Sequence, residues 1–217
     1  DQLEMSAGNG RQTGAGDSPV ETVGEVLQQA KNYFAEIEEA ADVYRARVMG
    51  AGGDQQGLLE ALIIHTSGDQ GLRVRILPVS VMGSQLRRYD YHRREILLSE
   101  ALMRPQRTFH LLVQLALTSP SGLLHKVADA HGMSDGTARS LFRSTLAGYF
   151  AGAVMMPYDA FLAAARDIRY DLDLLGRRFG ASFEQVCHRL TSLNAPNARD
   201  IPFFFIRIDD AGNISKR

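Results

Sequence analysis

The sequence predicts an α+β fold, mostly helical with a small β-sheet. Apolar residues recur at three- and four-residue spacing over most of the chain, as on helices with one buried face. Short Val-, Ile- and Leu-rich runs cluster between residues 71 and 99 around one polar turn. Strands and helices do not alternate as a parallel α/β sheet would require. At 217 residues, 45% hydrophobic and 23% charged, the chain has ordinary globular composition and the length for a substantial core.

Residues 1–17 are rich in Gly, Asp and Gln and are expected to be disordered. Order is expected from Ser18, where Ser18, Pro19 and Glu21 make a capping box. One helix of roughly 30 residues should follow, with Val23, Leu27, Ala30, Phe34, Ile37, Ala41 and Tyr44 on one stripe. It ends by Gly50–Gly53, so residues 18–53 read as a helical lead to a body at 54–217. A shorter helix is expected over Gln55–His65. Gly71–Met82 reads as β, and Leu86–Asp90 with Glu95–Ser99 as a hairpin around Tyr91–Arg94. Helices follow at Pro105–Leu117, Leu123–His131, from a Ser134 cap towards Val154, and at Tyr158–Ile168, Leu172–Phe179 and Ser182–Leu193. Phe203–Ile208 reads as a strand, and Asp209–Asn213 as a turn into another strand past the end of the chain. No internal repeat is visible.

The net charge of −1 conceals a division: residues 1–60 hold four basic and eleven acidic side chains, and residues 61–217 hold twenty and fourteen. An acidic leading helix and a body able to meet anions follow from it. The single cysteine, Cys187, excludes an internal disulfide framework and a multi-cysteine metal site, and fits a reducing compartment. The longest apolar runs, such as Leu111–Leu117, fall well short of the ~18 residues that span a bilayer. With no basic-then-apolar leader, a cytoplasmic protein with no membrane role is expected. The start at Asp1 and the end just after an apparent turn suggest a segment of a longer protein.

The run Gln106-Arg107-Thr108-Phe109-His110-Leu111-Leu112-Val113-Gln114-Leu115-Ala116-Leu117, with Leu146-Ala147-Gly148-Tyr149-Phe150-Ala151-Gly152-Ala153-Val154-Met155-Met156-Pro157, resembles the core of the ImmA/IrrE metallopeptidases. In that family two His at i and i+4 hold zinc, the Glu between them activates water, and a Glu from the later helix completes the ligand set. On this sequence the first His falls on Val113, the Glu on Gln114, the second His on Leu117 and the third ligand on Leu146. The resemblance therefore implies a zincin-like scaffold with no metal, no catalytic residue and no hydrolysis. Singly, each apolar position reads as plain core. As a set they make the emptied cleft an apolar pocket, unless side chains collapse into it.

Further runs narrow the resemblance: Leu86-Arg87-Arg88-Tyr89-Asp90-Tyr91-His92-Arg93-Arg94-Glu95, Arg177-Arg178-Phe179-Gly180-Ala181-Ser182-Phe183, Ile201-Pro202-Phe203-Phe204-Phe205 and Gly212-Asn213-Ile214-Ser215-Lys216-Arg217. They are similar to the short-chain fatty acyl-CoA-responsive transcriptional regulators, nearer the propionate than the acetate regulators. The similarity covers residues 20–217. It implies the ligand-sensing domain of a bacterial regulator of propionate and short-chain fatty acid metabolism, with CoA or a short-chain acyl-CoA as effector. In that family DNA is bound by an N-terminal helix-turn-helix domain, and a C-terminal cysteine-bearing segment is associated with an iron–sulfur cluster. Neither is expected of this chain.

The residues themselves suit CoA. Residues 73–107 hold eight arginines and three acids, and a planar guanidinium matches phosphate. Arg87, Arg88, Arg93 and Arg94 around Tyr89 and Tyr91 suit the phosphates and the adenine, and the apolar cleft suits the acyl tail. The expected ligand-binding set is Arg87, Arg88, Tyr89, Tyr91 and Arg93 from the hairpin, with Val113, Leu117, Arg143, Leu146, Tyr149 and Phe150 around the cleft. Each arginine reads equally as part of a solvated hairpin. Arg139, one turn from Arg143, faces the same cleft or pairs with an acid.

The alternative is a DNA-binding or dimerisation module without a small ligand. Val127–Ser134 leading into Thr137–Arg143, and Leu175–Leu190, both look like helix-turn-helix segments, but Phe179, Phe183 and Val186 have the character of packing residues. A homodimer is compatible with paired half-sites, the acidic helix being one candidate contact. His125, His131 and His188 lack ligand spacing, Cys187 reads as a small buried hydrophobe, and Gly50–Gly53 lacks the context of a phosphate loop.

Overall fold

The computed structural model describes residues 18–50, 57–134, 136–208 and 214–216. The expected disorder of residues 1–17 and the turn at Asp209–Asn213 lie outside them. The Ser18 N–H donates to Glu21 Oε2 at 3.0 Å, as in a capping box. The apolar stripe beyond it is carried by two helices rather than one, α1 (Pro19–Gln29) and α2 (Ala35–Met49). The break falls at Lys31 and Asn32, both left-handed at φ 53°. Such a residue costs roughly 1–2 kcal/mol. Phe34 offsets this: it is 2% exposed and packs edge-on against Phe142 and Tyr149, and burying a phenyl ring contributes about 1.5–3 kcal/mol.

Helix α3 (Leu58–Asp69) leads into β1 (Arg73–Leu77). The β run expected to reach Met82 stops at Pro78, which cannot donate to a ladder. One helical turn follows instead, α4 (Val79–Met82), closed by Gly83 at φ 59°. The hairpin forms as β2 (Arg87–Asp90) and β3 (Glu95–Ser99). β3 is the central strand of a three-stranded sheet, antiparallel to β2 and parallel to β1. All five of its residues are buried, because helices cover one face and α4 lies against the other. Ile96 and Leu98 join the main core, whereas Leu97 is buried outside it, as is Met82 of α4.

The remaining helices are α5 (Arg104–Thr118), α6 (Leu123–Ala130), α7 (Thr137–Met155), α8 (Tyr158–Asp167), α9 (Leu172–Phe179) and α10 (Phe183–Thr191). Helix α7 is capped by Gly136 rather than Ser134. It is the centre of the fold, packing on α5, α2, α1 and α6. Two short strands, β4 (Ile206–Ile208) and β5 (Ile214–Lys216), pair antiparallel near the end. The return strand expected past the end is thus within the chain, and the strand expected from Phe203 starts only at Ile206. No single helix among the described residues is long and apolar enough to cross a membrane. α7 and α8 pass such a test only as a pair bent by 64°.

Candidate ligand site at the sheet edge, beside an emptied metal face

Helix α5 presents Val113, Gln114 and Leu117, and α7 presents Leu146, at the positions where the peptidase scaffold carries its zinc chemistry. Val113 and Leu146 are 3% and 0% exposed; Gln114 and Leu117 are half-buried. Zinc does not fit this set. Three of the four side chains are hydrocarbon, and an amide is no substitute for His nitrogen or carboxylate oxygen. Among the described residues no group of three His, Cys, Asp or Glu is placed to hold a metal. Packing encloses Val113 and Leu146 on this face. Two cavities, of about 500 and 380 Å³, lie elsewhere, between the start of α5 and the α9–α10 turn. Neither is lined by Val113, Leu117 or Leu146.

The hairpin arginines divide by strand alternation. Arg87 pairs in register with Leu98 and Tyr89 with Ile96, so both project on the face that meets the helices. Arg88 lies opposite Leu97 and projects on the other face, where Arg73 and Arg75 hold the buried Glu95 carboxylate at 3.1 and 3.3 Å. Arg88 and Arg93 are exposed. The Arg93 backbone N–H closes the turn on Asp90 Oδ1 at 3.0 Å, and Arg94 reaches back to the Gln70 carbonyl at 2.6 Å. Tyr91 is 76% exposed, and its ring meets Tyr89 edge-on with centroids 6.4 Å apart.

Arg87 is the unusual member. It is half-buried, and burial alone pulls its pKa down; no carboxylate among the described residues acts on it. Its Nη1 donates to His110 Nδ1 on α5 at 3.3 Å. Burial, then the Arg87 charge, hold His110 below the ordinary imidazole pKa of 6.5. His110 lies one turn before Gln114. Sequence reasoning passed over it because it lies off the expected metal face.

On α7, Arg143 is half-buried with a Nε that is enclosed and meets no hydrogen-bond partner. Arg139, by contrast, is committed to Asp129 and to the Met133 carbonyl. Phe150 is 8% exposed and stacks at a tilt on Tyr44. The Tyr149 hydroxyl donates to Glu38 Oε1 at 2.5 Å and accepts from the Phe34 N–H at 3.4 Å. Burial first, then the Glu38 charge, push its pKa far up.

Tyr149 thus belongs to a buried ionic cluster that sequence reading missed. Arg189 of α10 is paired in two places with Glu38 of α2, Nη1 to Oε1 at 2.6 Å and Nη2 to Oε2 at 2.8 Å. Its Nε donates to the Met156 carbonyl at 2.9 Å. The guanidinium also faces the Tyr149 and Tyr158 rings at 5.9 and 5.6 Å. Burial lowers the Arg189 pKa, but the Glu38 contacts outweigh it and the net shift is upward. A faint signal exists: Glu38 is four residues from Phe34 and adjoins Ile37, on a helix face that is otherwise apolar.

The helix-turn-helix resemblances do not place a free reading helix. The second helix of the first segment is α7, whose Phe142, Leu146 and Ala147 are all fully buried. In the second segment Val186, Arg189 and Leu190 of α10 face the interior. Cys187 is half-buried, its thiol pushed up first by burial and then by Glu184. His188 lies 3.7 Å from that same Glu184, a partner not expected from sequence.

Comparison with known proteins agrees with this architecture. Residues 68–191 match the IrrE N-terminal-like domain family, and residues 192–217 match the C-terminal part of the short-chain fatty acyl coenzyme A regulators. The chain is 38% identical over 200 residues to the HTH-type transcriptional regulator PrpR of Mycobacterium tuberculosis, covering 92% of this chain and 40% of that protein. It is 36% identical to the propionyl-CoA carboxylase regulator of Cereibacter sphaeroides, covering 92% and 41%. To the M. tuberculosis regulator RamB it is 32% identical, covering 98% and 44%. A solved M. tuberculosis transcriptional regulator superposes with a TM-score of 0.84 at 38% identity, over 93% of this chain and 60% of that one. The chain therefore spans less than half the length of the curated relatives it matches. PrpR and RamB are named as HTH-type transcriptional regulators, and the third relative as a regulator of propionyl-CoA carboxylase. The chain belongs to the IrrE N-terminal-like domain family, and its last residues match the C-terminal part of the short-chain fatty acyl coenzyme A regulators.

Proposed function

We propose that this domain is the cytoplasmic ligand sensor of a transcriptional regulator of propionate and short-chain fatty acid metabolism, and that its effector is CoA or a short-chain acyl-CoA. One observation carries the reading. Arg87 is a half-buried cation facing α5 whose side-chain partner is a neutral imidazole rather than an acid. A desolvated guanidinium without a counter-charge is costly, and a phosphate relieves the cost with paired, charge-assisted bonds. Tyr89 and Tyr91 beside it offer aromatic faces to an adenine, while Arg93 at the turn supplies an exposed positive charge and Arg88 lies on the opposite face of the sheet.

For the acyl tail, the proposed path is the α5–α7 seam lined by Val113, Leu117, Arg143, Leu146 and Phe150. Val113 and Leu146 are buried in the seam, so entry of an acyl tail requires side chains to move apart there, starting at half-buried Leu117. Tyr149 stands behind the seam with its hydroxyl bound to Glu38 and acts there as a support. DNA would be bound through a separate helix-turn-helix part, of the kind that the names of PrpR and RamB record. The test is calorimetric titration of CoA and propionyl-CoA into the wild type and Arg87→Ala. Loss of CoA binding in the variant supports the site. Unchanged binding moves it elsewhere.

A further inference from the structure

We infer that His110 is the positioning residue of the phosphate site, holding Arg87 in place when the site is empty and taking up a proton when the effector's phosphates arrive. This rests on the CoA reading above and adds a proton linkage to it.

The geometry fixes the protonation state. Arg87 Nη1 has only hydrogens to offer, so at 3.3 Å the His110 Nδ1 must accept. The imidazole is therefore neutral in the empty domain, with its proton on Nε2. Protonating Nδ1 would put two cations in contact on a half-buried surface. Three other arginines use acids for this purpose: Arg104 has Glu60, Arg166 has Asp200 and Arg189 has Glu38. Here a neutral ring serves instead, and it leaves the positive charge of Arg87 uncompensated.

The charged groups on the elements packed against α5 point the same way. β2 contributes Arg87. β3 carries Glu95 on the opposite face of the sheet, its carboxylate engaged by Arg73 and Arg75. α3 contributes Glu60, bound to Arg104, and His65, bound to Asp69. α7 contributes the cation Arg143. Of these only Arg87 acts on His110 appreciably, and it disfavours the charged ring together with burial. A diphosphate lying on Arg87 removes the repulsion and outweighs the burial. It neutralises the guanidinium and offers oxygens to an imidazolium N–H, so the His110 pKa rises on binding.

The sign follows directly. A group whose pKa is higher in the bound state takes up a proton as ligand binds. Affinity then grows as pH falls from the bound-state pKa to the free one, by at most about tenfold per pH unit, and levels off below both. The free pKa lies under 6.5, so the dependence extends upward from the mildly acidic range.

The probe is CoA, titrated by calorimetry near neutral pH in two buffers of different ionisation enthalpy, neither containing phosphate. The chain used is the wild type and His110→Gln, whose amide oxygen still accepts from Arg87. The expected result is a net proton uptake in the wild type that is smaller or absent in His110→Gln, whose CoA affinity is weaker and rises less as pH falls. The comparison cancels any proton exchanged by the 3′-phosphate of CoA itself. Equal uptake in both proteins overturns the inference and leaves the CoA reading standing. No CoA binding by the wild type overturns both. Should His110→Gln be unstable, an NMR pH titration of the wild-type imidazole decides: its pKa must rise on CoA binding, and an unchanged or lower value sinks the idea.

Discussion

Arg87 and Arg88 are neighbours in sequence and opposites in space. Alternation along β2 sends Arg87 to the helix-facing side, where burial makes its charge expensive, and Arg88 to the solvated side. Their contributions to binding should differ accordingly. Arg87→Ala is expected to weaken CoA by about 1.5–3 kcal/mol, the size of a charge-assisted hydrogen bond. Arg88→Ala and Arg93→Ala should each cost less than about 1 kcal/mol, and that small loss should vanish in added salt. Titrations of the three variants at low and moderate salt give the comparison; equal losses would contradict the division by face. A second residue-scale expectation concerns the buried pair. Removing either partner strands the other charge in the core, so Glu38→Gln and Arg189→Met should each lower unfolding free energy by about 3–5 kcal/mol. The double variant should lose less than the sum, as read from urea midpoints. Nothing in the sequence announces that pair, because its members are 151 residues apart and each sits on a helix whose own pattern is complete without it.

At the scale of elements, the hairpin and most helices from α5 to α10 were legible, because each has a strong period and most have local stops, such as Pro157 before α8 and Gly180 between α9 and α10. Two elements were not read correctly. The stripe from Val23 to Tyr44 keeps its phase across the Lys31–Asn32 break, so periodicity alone sees one helix; the kink is imposed by the burial of Phe34 under α7. The turn α4 did carry a sign, Pro78 before it and Gly83 after it, which the β-branched residues between obscured. In the proposed function, acyl selectivity depends on the α5–α7 seam. The emptied metal face was legible as chemistry, but whether its aliphatics leave a hole or close it depends on packing across two helices. Packing encloses Val113 and Leu146 there. Leu117→Phe, at the half-buried mouth, should therefore weaken propionyl-CoA more than CoA while leaving thermal stability nearly intact. Val113→Phe, at 3% exposure, should in addition cost about 1–3 kcal/mol of stability through overpacking. Equal losses of CoA and propionyl-CoA in Leu117→Phe would place the acyl group outside the seam.

Across the whole molecule, a peptidase scaffold has kept its helices and given up its donors. Elemental analysis after dialysis should find zinc well below one equivalent per chain, since Val113, Leu117 and Leu146 offer no ligand. The proposed phosphate site lies at the sheet edge, and the long central helix α7 joins the proposed acyl seam to the Glu38–Arg189 cluster and the α1–α2 arm. The central claim is that this domain senses short-chain acyl-CoA, and paired calorimetric titrations of CoA and propionyl-CoA into the wild-type chain test it most directly. Each buried methylene contributes about 0.8 kcal/mol, so propionyl-CoA should bind about tenfold tighter than CoA, with both affinities falling as salt is added. Absence of heat and of saturation for both ligands, in a chain shown to be folded, would contradict it.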